Sequence, residues 1–253
     1  MKGQNHIQPR FRWCRLLAMA VLFFGGTAMG QTPMRVYAGI AFNGGYMPVD
    51  SLNWIIDQYN MRQGDVVKPL GNINAPMGVS GQLGIVANRL VIDLGSTTRM
   101  AGTRSRENEF ADGTYFVRQL RFRANTFDVG AGGMMIEKPN GNLIMGASLD
   151  FGAVRVFTRY ARNDQVNSIP LTSPVVNELT LGTTVYLQGM INIGLNNPLY
   201  LYIRPYFQYA WNRNDFQPVN RNINFQTYLD DPQFILSFPH NVGFKIGIAF
   251  YSG

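Results

Sequence analysis

Between Glu178 and Ile193 the chain alternates apolar and polar residues. Leu179, Leu181, Thr183, Val185, Leu187 and Ile191 share one parity. Thr180, Gly182, Thr184, Tyr186, Gln188 and Asn192 share the other. Alternation held over such a length demands a strand with two chemically different faces. The rhythm returns at about 35–46, 77–87, 90–99, 115–134, 143–159, 199–212 and 240–251, giving eight predicted strands. Their apolar faces carry, for example, Ile40 and Phe42 in the first, Leu120, Phe122 and Ala124 in the fourth, and Phe244, Ile246 and Ile248 in the eighth. No later segment approaches the roughly eighteen consecutive apolar residues of a membrane-spanning helix.

The connections alternate in length. Ala87-Asn88-Arg89, Pro139-Asn140-Gly141 and Gly194 to Pro198 are short and carry hairpin chemistry, whereas 47–76, 100–114, 160–176 and 213–239 are long and polar. Short turns on one rim and long loops on the other predict an all-β, eight-stranded antiparallel up-and-down transmembrane β-barrel. A secreted barrel with an apolar interior has the same strand number. Two features favour apolar-out. No charge falls among the apolar positions. The opposite face holds small and neutral polar residues such as Gly39, Ser80, Gln82, Gly84, Ser148, Thr184 and Gly243, which fit a crowded lumen. Tyr46, Tyr115, Phe116, Tyr160, Tyr209 and Trp211, near the long-loop ends, are candidates for an outer aromatic girdle.

The N-terminus reads differently. Lys2, Arg10, Arg12 and Arg15 precede the apolar run Leu16 to Phe24, and Ala28-Met29-Gly30 is a small-residue cleavage site. Residues 1–30 are therefore predicted to be a secretory signal peptide, with 31–253 as the barrel domain. Without those four cations, the 22 basic residues fall to 18 against 15 acidic ones, and the net charge drops from +7 to +3. That balance gives no reason to expect nucleic acid as a partner. Cys14, the one cysteine, leaves with the leader, so disulfides, cysteine-ligated zinc and a cysteine nucleophile are excluded from the remainder. His240 is then the only imidazole.

Charges on the inward face form a predicted lumen network of Asp93, Arg121, Arg123, Asp150, Arg204 and Lys245, with Arg35 nearby. Tyr37, Tyr186, Tyr200, Tyr202 and Tyr206 add bulk there. Charges in so narrow a barrel are expected to be paired and structural, with the lumen closed. Taking Arg99 as opposite Tyr115 places Asp93 opposite Arg121 as a buried ion pair. In strand four, Leu120, Phe122 and Ala124 differ in parity from Phe127, Val129 and Ala131. A β-bulge near Asn125-Thr126 would keep both sets outward and Asp128 inward. In the first long loop, Leu52, Ile55, Ile56 and Tyr59 recur at helical spacing beside Trp54, with Asp50 or Ser51 as candidate cap. This helix is expected to fold over the barrel mouth, with partner binding as the alternative role.

With these features the chain resembles the small eight-stranded outer-membrane β-barrel family, the OmpA/OmpX-like porin-family barrels. Asn88-Arg89-Leu90-Val91-Ile92-Asp93-Leu94-Gly95 resembles their first periplasmic turn, and Leu52 to Asn60 resembles the loop-one helix of some members. One departure is the C-terminus, where Phe250-Tyr251 is followed by Ser252-Gly253 rather than ending on an aromatic residue. The resemblance implies the outer membrane of a Gram-negative-type envelope. It also implies outer-membrane lipid as solvent, barrel-assembly machinery and periplasmic chaperones as partners during biogenesis, and a surface or envelope protein as partner. It implies no cofactor and no catalytic residues.

Three functions stay open. The first is a structural or surface-interaction role through the long outer loops. The second is a narrow porin-like channel for small solutes. The third is a lipid- or peptide-modifying enzyme. Against the enzyme, His240, Ser237 and the tandem Asp230-Asp231 form no motif that brings nucleophile, base and orienting group together, and no metal-ligand cluster is visible. The expectation is a non-enzyme.

Overall fold

The computed structural model describes residues 34–64, 66–171, 173–194, 198–224 and 236–252. The predicted signal peptide and Asp230-Asp231 lie outside them. Eight long strands build the wall: β1 (Met34–Tyr46), β2 (Met77–Ala87), β3 (Leu90–Arg104), β4 (Phe116–Lys138), β5 (Gly141–Arg162), β6 (Val176–Asn192), β7 (Leu199–Ala210) and β8 (Asn241–Tyr251). Each pairs with its sequence neighbours, and β8 pairs back on β1. That last pairing sets Tyr37 opposite Tyr251 and Phe42 opposite Ile246, and it closes the sheet. Four strands of two or three residues lie in the loops: Val66–Lys68, Arg106–Glu107, Asn214–Asp215 and Leu236–Ser237.

Two tight turns join the strands at one rim. Asn88 adopts φ 58 between the paired Ala87 and Leu90, a left-handed conformation that asparagine tolerates better than most residues. Pro139 and Asn140 bridge the paired Lys138 and Gly141.

The faces divide as the alternation predicts over the lower part of the wall. Ile40, Leu83, Ile92, Phe127, Leu149, Val185, Phe207 and Ile246 are exposed on the outside. Tyr37, Gln82, Asp93, Asp128, Ser148, Gln188, Arg204 and Lys245 are buried inside. Inward glycines leave room for this bulk. A Cβ on Gly84 would lie 2.1 Å from the Tyr37 ring, and one on Gly146 would lie 2.5 Å from the Tyr186 ring. A closed sheet with an apolar outside and a polar inside inverts a water-soluble barrel. It suits hydrocarbon, which offers unpaired backbone groups no hydrogen-bond partner.

Above that zone the polarity reverses. Leu120, Phe122 and Ala124 are buried, not lipid-facing as expected, and Arg121 and Arg123 between them point outward. No bulge intervenes. Pairing is regular from Gln119 to Gly133 against both neighbours, and the irregularity in β4 sits at Met134/Ile136. Asp128 is inside without it. The reason is length. β4 has 23 residues and β5 has 22, against about ten that cross hydrocarbon. Their outer halves stand in water, where apolar side chains turn inward.

What they meet is the cap. Helix α1 (Asp50–Arg62) buries Leu52, Ile55, Ile56 and Tyr59, as the spacing predicts. Its N-cap is Val49, with no side-chain cap, rather than Asp50 or Ser51. Helix α2 (Gln217–Asn224), in the last long loop, adds Val219 and Ile223. Together with Leu120, Phe122, Val154, Val156 and Val176 these residues form one apolar core that fills the outer end of the barrel. A buried polar cluster pins the helix to the wall. Tyr59 and Ser105 both donate to Glu107, and the Arg118 guanidinium lies over the Tyr59 ring. Burial, then the bond to Glu107, pushes the Tyr59 phenol well above its ordinary pKa.

Candidate functional site

The middle of the lumen carries the charges. Asp128 on β4 sits directly opposite Asp150 on β5, and Arg204 on β7 sits directly opposite Lys245 on β8. Like charges on one rung repel, so neither pair favours its own sheet contact. Closure of the barrel resolves both. Arg204 Nη2 reaches Asp93 Oδ2 at 2.8 Å, joining β7 to β3 across the interior. Lys245 Nζ reaches Asp128 Oδ1 at 3.4 Å, joining β8 to β4. Each bridge links strands on opposite walls, and the residues involved are nearly inaccessible.

Neutral groups complete the braces. Tyr186 donates to Asp93 at 2.7 Å, and Arg204 Nε donates to Gln188 at 2.6 Å. Asp150 accepts from Ser148 at 3.0 Å, from Thr184, and from Gln208 at 2.9 Å. Gln208 in turn accepts from Arg99 at 3.2 Å. Three carboxylates, Asp93, Asp128 and Asp150, thus share the interior with three cations, Arg99, Arg204 and Lys245. A cavity of about 10 Å³, roughly the room for one water, lies among Arg99, Asp128, Asp150, Arg204 and Lys245. Toward the short-turn rim the lumen is filled by Val86, Val91, Met134, Ile144, Met190 and Tyr251.

Of the predicted network, Asp93, Asp150, Arg204 and Lys245 face the lumen. Arg121 and Arg123 do not, and the expected Asp93–Arg121 pair is absent. Asp93 lies opposite Gly130, because β3 extends to Arg104 before turning. Arg99 was missed, although its odd number places it on the same face as Asp93. Arg35 sits at the short-turn rim, paired with Glu137. Tyr46, Tyr209 and Trp211 are exposed at the ends of the shorter strands. Tyr115, Phe116 and Tyr160 are not level with them. They lie at the far ends of β4 and β5, where Arg118 packs on Tyr160 at 4.4 Å.

Inside is charged and filled with side chains, and outside is an apolar belt. The fold is that of an outer-membrane β-barrel. No family model matches the sequence, and no curated protein matches it. Among solved structures, the chain is similar to Ail, the attachment invasion locus protein of Yersinia pestis, in complex with the heparin analogue sucrose octasulfate. That likeness has 9% identity and a TM-score of 0.41 over 86% of this chain and 97% of that one. It is also similar to the outer membrane protease OmpT of Escherichia coli, at 10% identity and 0.38 over 89% and 100%. The translocator domain of the autotransporter NalP of Neisseria meningitidis follows at 10% and 0.27 over 94% of each. At such identities the likeness concerns architecture and carries nothing about activity.

His240 is held in an aromatic stack. Its ring lies 4.7 Å from Tyr209 and 5.2 Å from Phe238, and its Nδ1 accepts the Ala210 N–H at 3.0 Å. Among the described residues no group of His, Cys, Asp and Glu is arranged to hold a metal ion. Beside His240, a groove of about 680 Å³ runs between α1 and residues 236–240. It mixes the aromatic side chains Tyr46, Trp54 and Phe238 with Asp57, Asn72 and Asn74. Of the five loop-one residues singled out from the sequence, Trp54 alone lines this groove, while Leu52, Ile55, Ile56 and Tyr59 are in the core.

Proposed function

We propose that the protein is a non-conducting barrel of the outer membrane that acts at its capped outer end, through its long loops, on a surface or envelope partner. The filled interior carries this reading. A tyrosine-rich layer at the short-turn rim, an ionic layer and an apolar cap succeed one another along the axis, so the work falls to the outer surface. The cap supports the same reading. Two loop helices fixed by a common core present a rigid face rather than mobile connectors, and that face holds the aromatic and amide groove. A non-enzymatic role is supported by His240, whose Nδ1 is occupied by a backbone N–H and whose ring faces are stacked.

Because Cys14 is the one cysteine in the sequence and is expected to leave with the leader, a single introduced cysteine allows single-site labelling. A photo-crosslinker at exposed Met61 on α1 is expected to give discrete protein adducts in intact cells, and one at Arg89 on the short-turn rim is expected to lack them. The same adducts from both positions, or none from Met61, would contradict a role at the outer face.

A further inference from the structure

The arginines displaced from the lumen form a pattern of their own. Their outward faces are fixed by strand parity and register. Arg123 on β4 is directly opposite Arg155 on β5, and Arg121 is one outward rung above. On the next rung Gln119 lies between Arg104 of β3 and Arg159 of β5. Below Arg123 the outward rungs run through Asn125 and Ala153 to Phe127 and Phe151, where the apolar belt begins.

Five arginines therefore occupy three successive rungs immediately above the lipid-facing surface. Like charges directly opposed across two strands are destabilising unless something neutralises them. Among the described residues, no carboxylate lies within ion-pair distance of any of the five. The nearby acids Glu109 and Asp164 are taken by Arg106 and Arg162. The planar groups are instead steadied by neutral acceptors. Arg123 Nε donates to Asn125 at 3.1 Å, Arg155 Nε donates to Asn177 at 2.9 Å, and Arg159 donates to Gln119 and to the Ile169 carbonyl. These bonds leave the charge uncancelled, and in Arg123 and Arg155 they engage Nε rather than the terminal nitrogens of the fork.

We propose that this arginine face binds phosphate groups of an anionic lipid in the leaflet around the barrel. Height and orientation choose the ligand. The side chains project from the outer wall rather than from the loop tips, and they begin where the apolar belt ends. A lipid with its chains on that belt brings its headgroup to this level. Guanidinium forks match phosphate oxygens two at a time. Arginines at a membrane surface add affinity for anionic headgroups that falls off within a Debye length. Arg159 senses the unrelieved field. Burial, and then the neighbouring Arg104 and Arg121, lower its pKa from the ordinary arginine value.

The test compares spin-labelled phosphatidic acid with spin-labelled phosphatidylcholine at the surface of the full-length protein in phosphatidylcholine vesicles. The native protein is expected to select phosphatidic acid. Arg121→Gln/Arg123→Gln/Arg155→Gln is expected to lose about fivefold or more of that selectivity, and Arg123→Gln alone to lose part of it. The single change guards against misfolding of the triple variant, which far-UV circular dichroism also monitors. Arg62→Gln/Arg162→Gln/Arg213→Gln removes the same charge elsewhere and is expected to keep the selectivity. An equal loss in both triple variants would reduce the effect to net charge and overturn the site. Displacement of the lipid by millimolar inorganic phosphate would make the ligand a soluble anion and overturn the lipid assignment.

Discussion

Replacing Asp93 with Ala is expected to destabilise the barrel by about 3–5 kcal/mol, the cost of leaving a buried cation without its partner. Asp93 and Asp150 each accept three hydrogen bonds in the lumen, but only Asp93 of the two takes one from a cation. Asp93 accepts from Arg204 at 2.8 Å, from Tyr186 at 2.7 Å and from Tyr37 at 3.4 Å. Removing it strands Arg204 beside Lys245 on the same wall with one fewer negative charge to face. Urea unfolding of the protein refolded into lipid vesicles would read the difference. The double variant Asp93→Leu/Arg204→Met removes both charges and is expected to cost less than Asp93→Ala alone. A single variant within about 0.5 kcal/mol of the native protein, the range of an ordinary surface change, would mean that the bridge does not hold the walls.

The second large effect concerns the outside. Ile246→Arg places a charge on the lipid-facing wall, between Phe42 and Ile203 on the neighbouring strands. At the bilayer midplane this is expected to cost about 2–4 kcal/mol. Leu181→Arg, on the same outward face two strands away, is expected to destabilise in the same direction. Thr184→Arg, facing inward, acts through lumen packing instead. Unfolding measured in the same vesicles checks all three, and a harmless Ile246→Arg would reverse the assignment of the faces.

How far the sequence discloses this architecture depends on what surrounds each segment. From Leu179 to Ile191 of β6, and along β8, one environment lies on each side, so the alternation is uniform: Val185 and Leu187, or Ile246 and Ile248, face lipid. In β4 the outside changes from hydrocarbon to water along a single strand. Phe127 and Leu120 are both apolar, yet one is exposed and the other is buried under the cap. A local pattern cannot distinguish a register shift from a change of surroundings, and a bulge is the reading that keeps one environment. The misplaced Arg121 and Arg123 follow from that choice, as does the wrong partner for Asp93. Strand number, turns and the apolar stripe of α1 were legible because each depends on a few adjacent residues. The bridges were not, because they join opposite walls and appear only once the sheet has closed. Helix α2 was missed for a different reason. It has eight residues, mostly polar, and its buried positions Val219 and Ile223 have meaning only against α1 and the wall.

The central claim is that the interior is sealed, and single-channel recording in a planar bilayer tests it most directly. With the lumen packed around the Asp93–Arg204 and Asp128–Lys245 bridges, the purified protein is expected to leave the bilayer at its baseline current over a wide voltage range. A large, steady, ohmic conductance would show a continuous water path through these layers and would contradict the closed-barrel account.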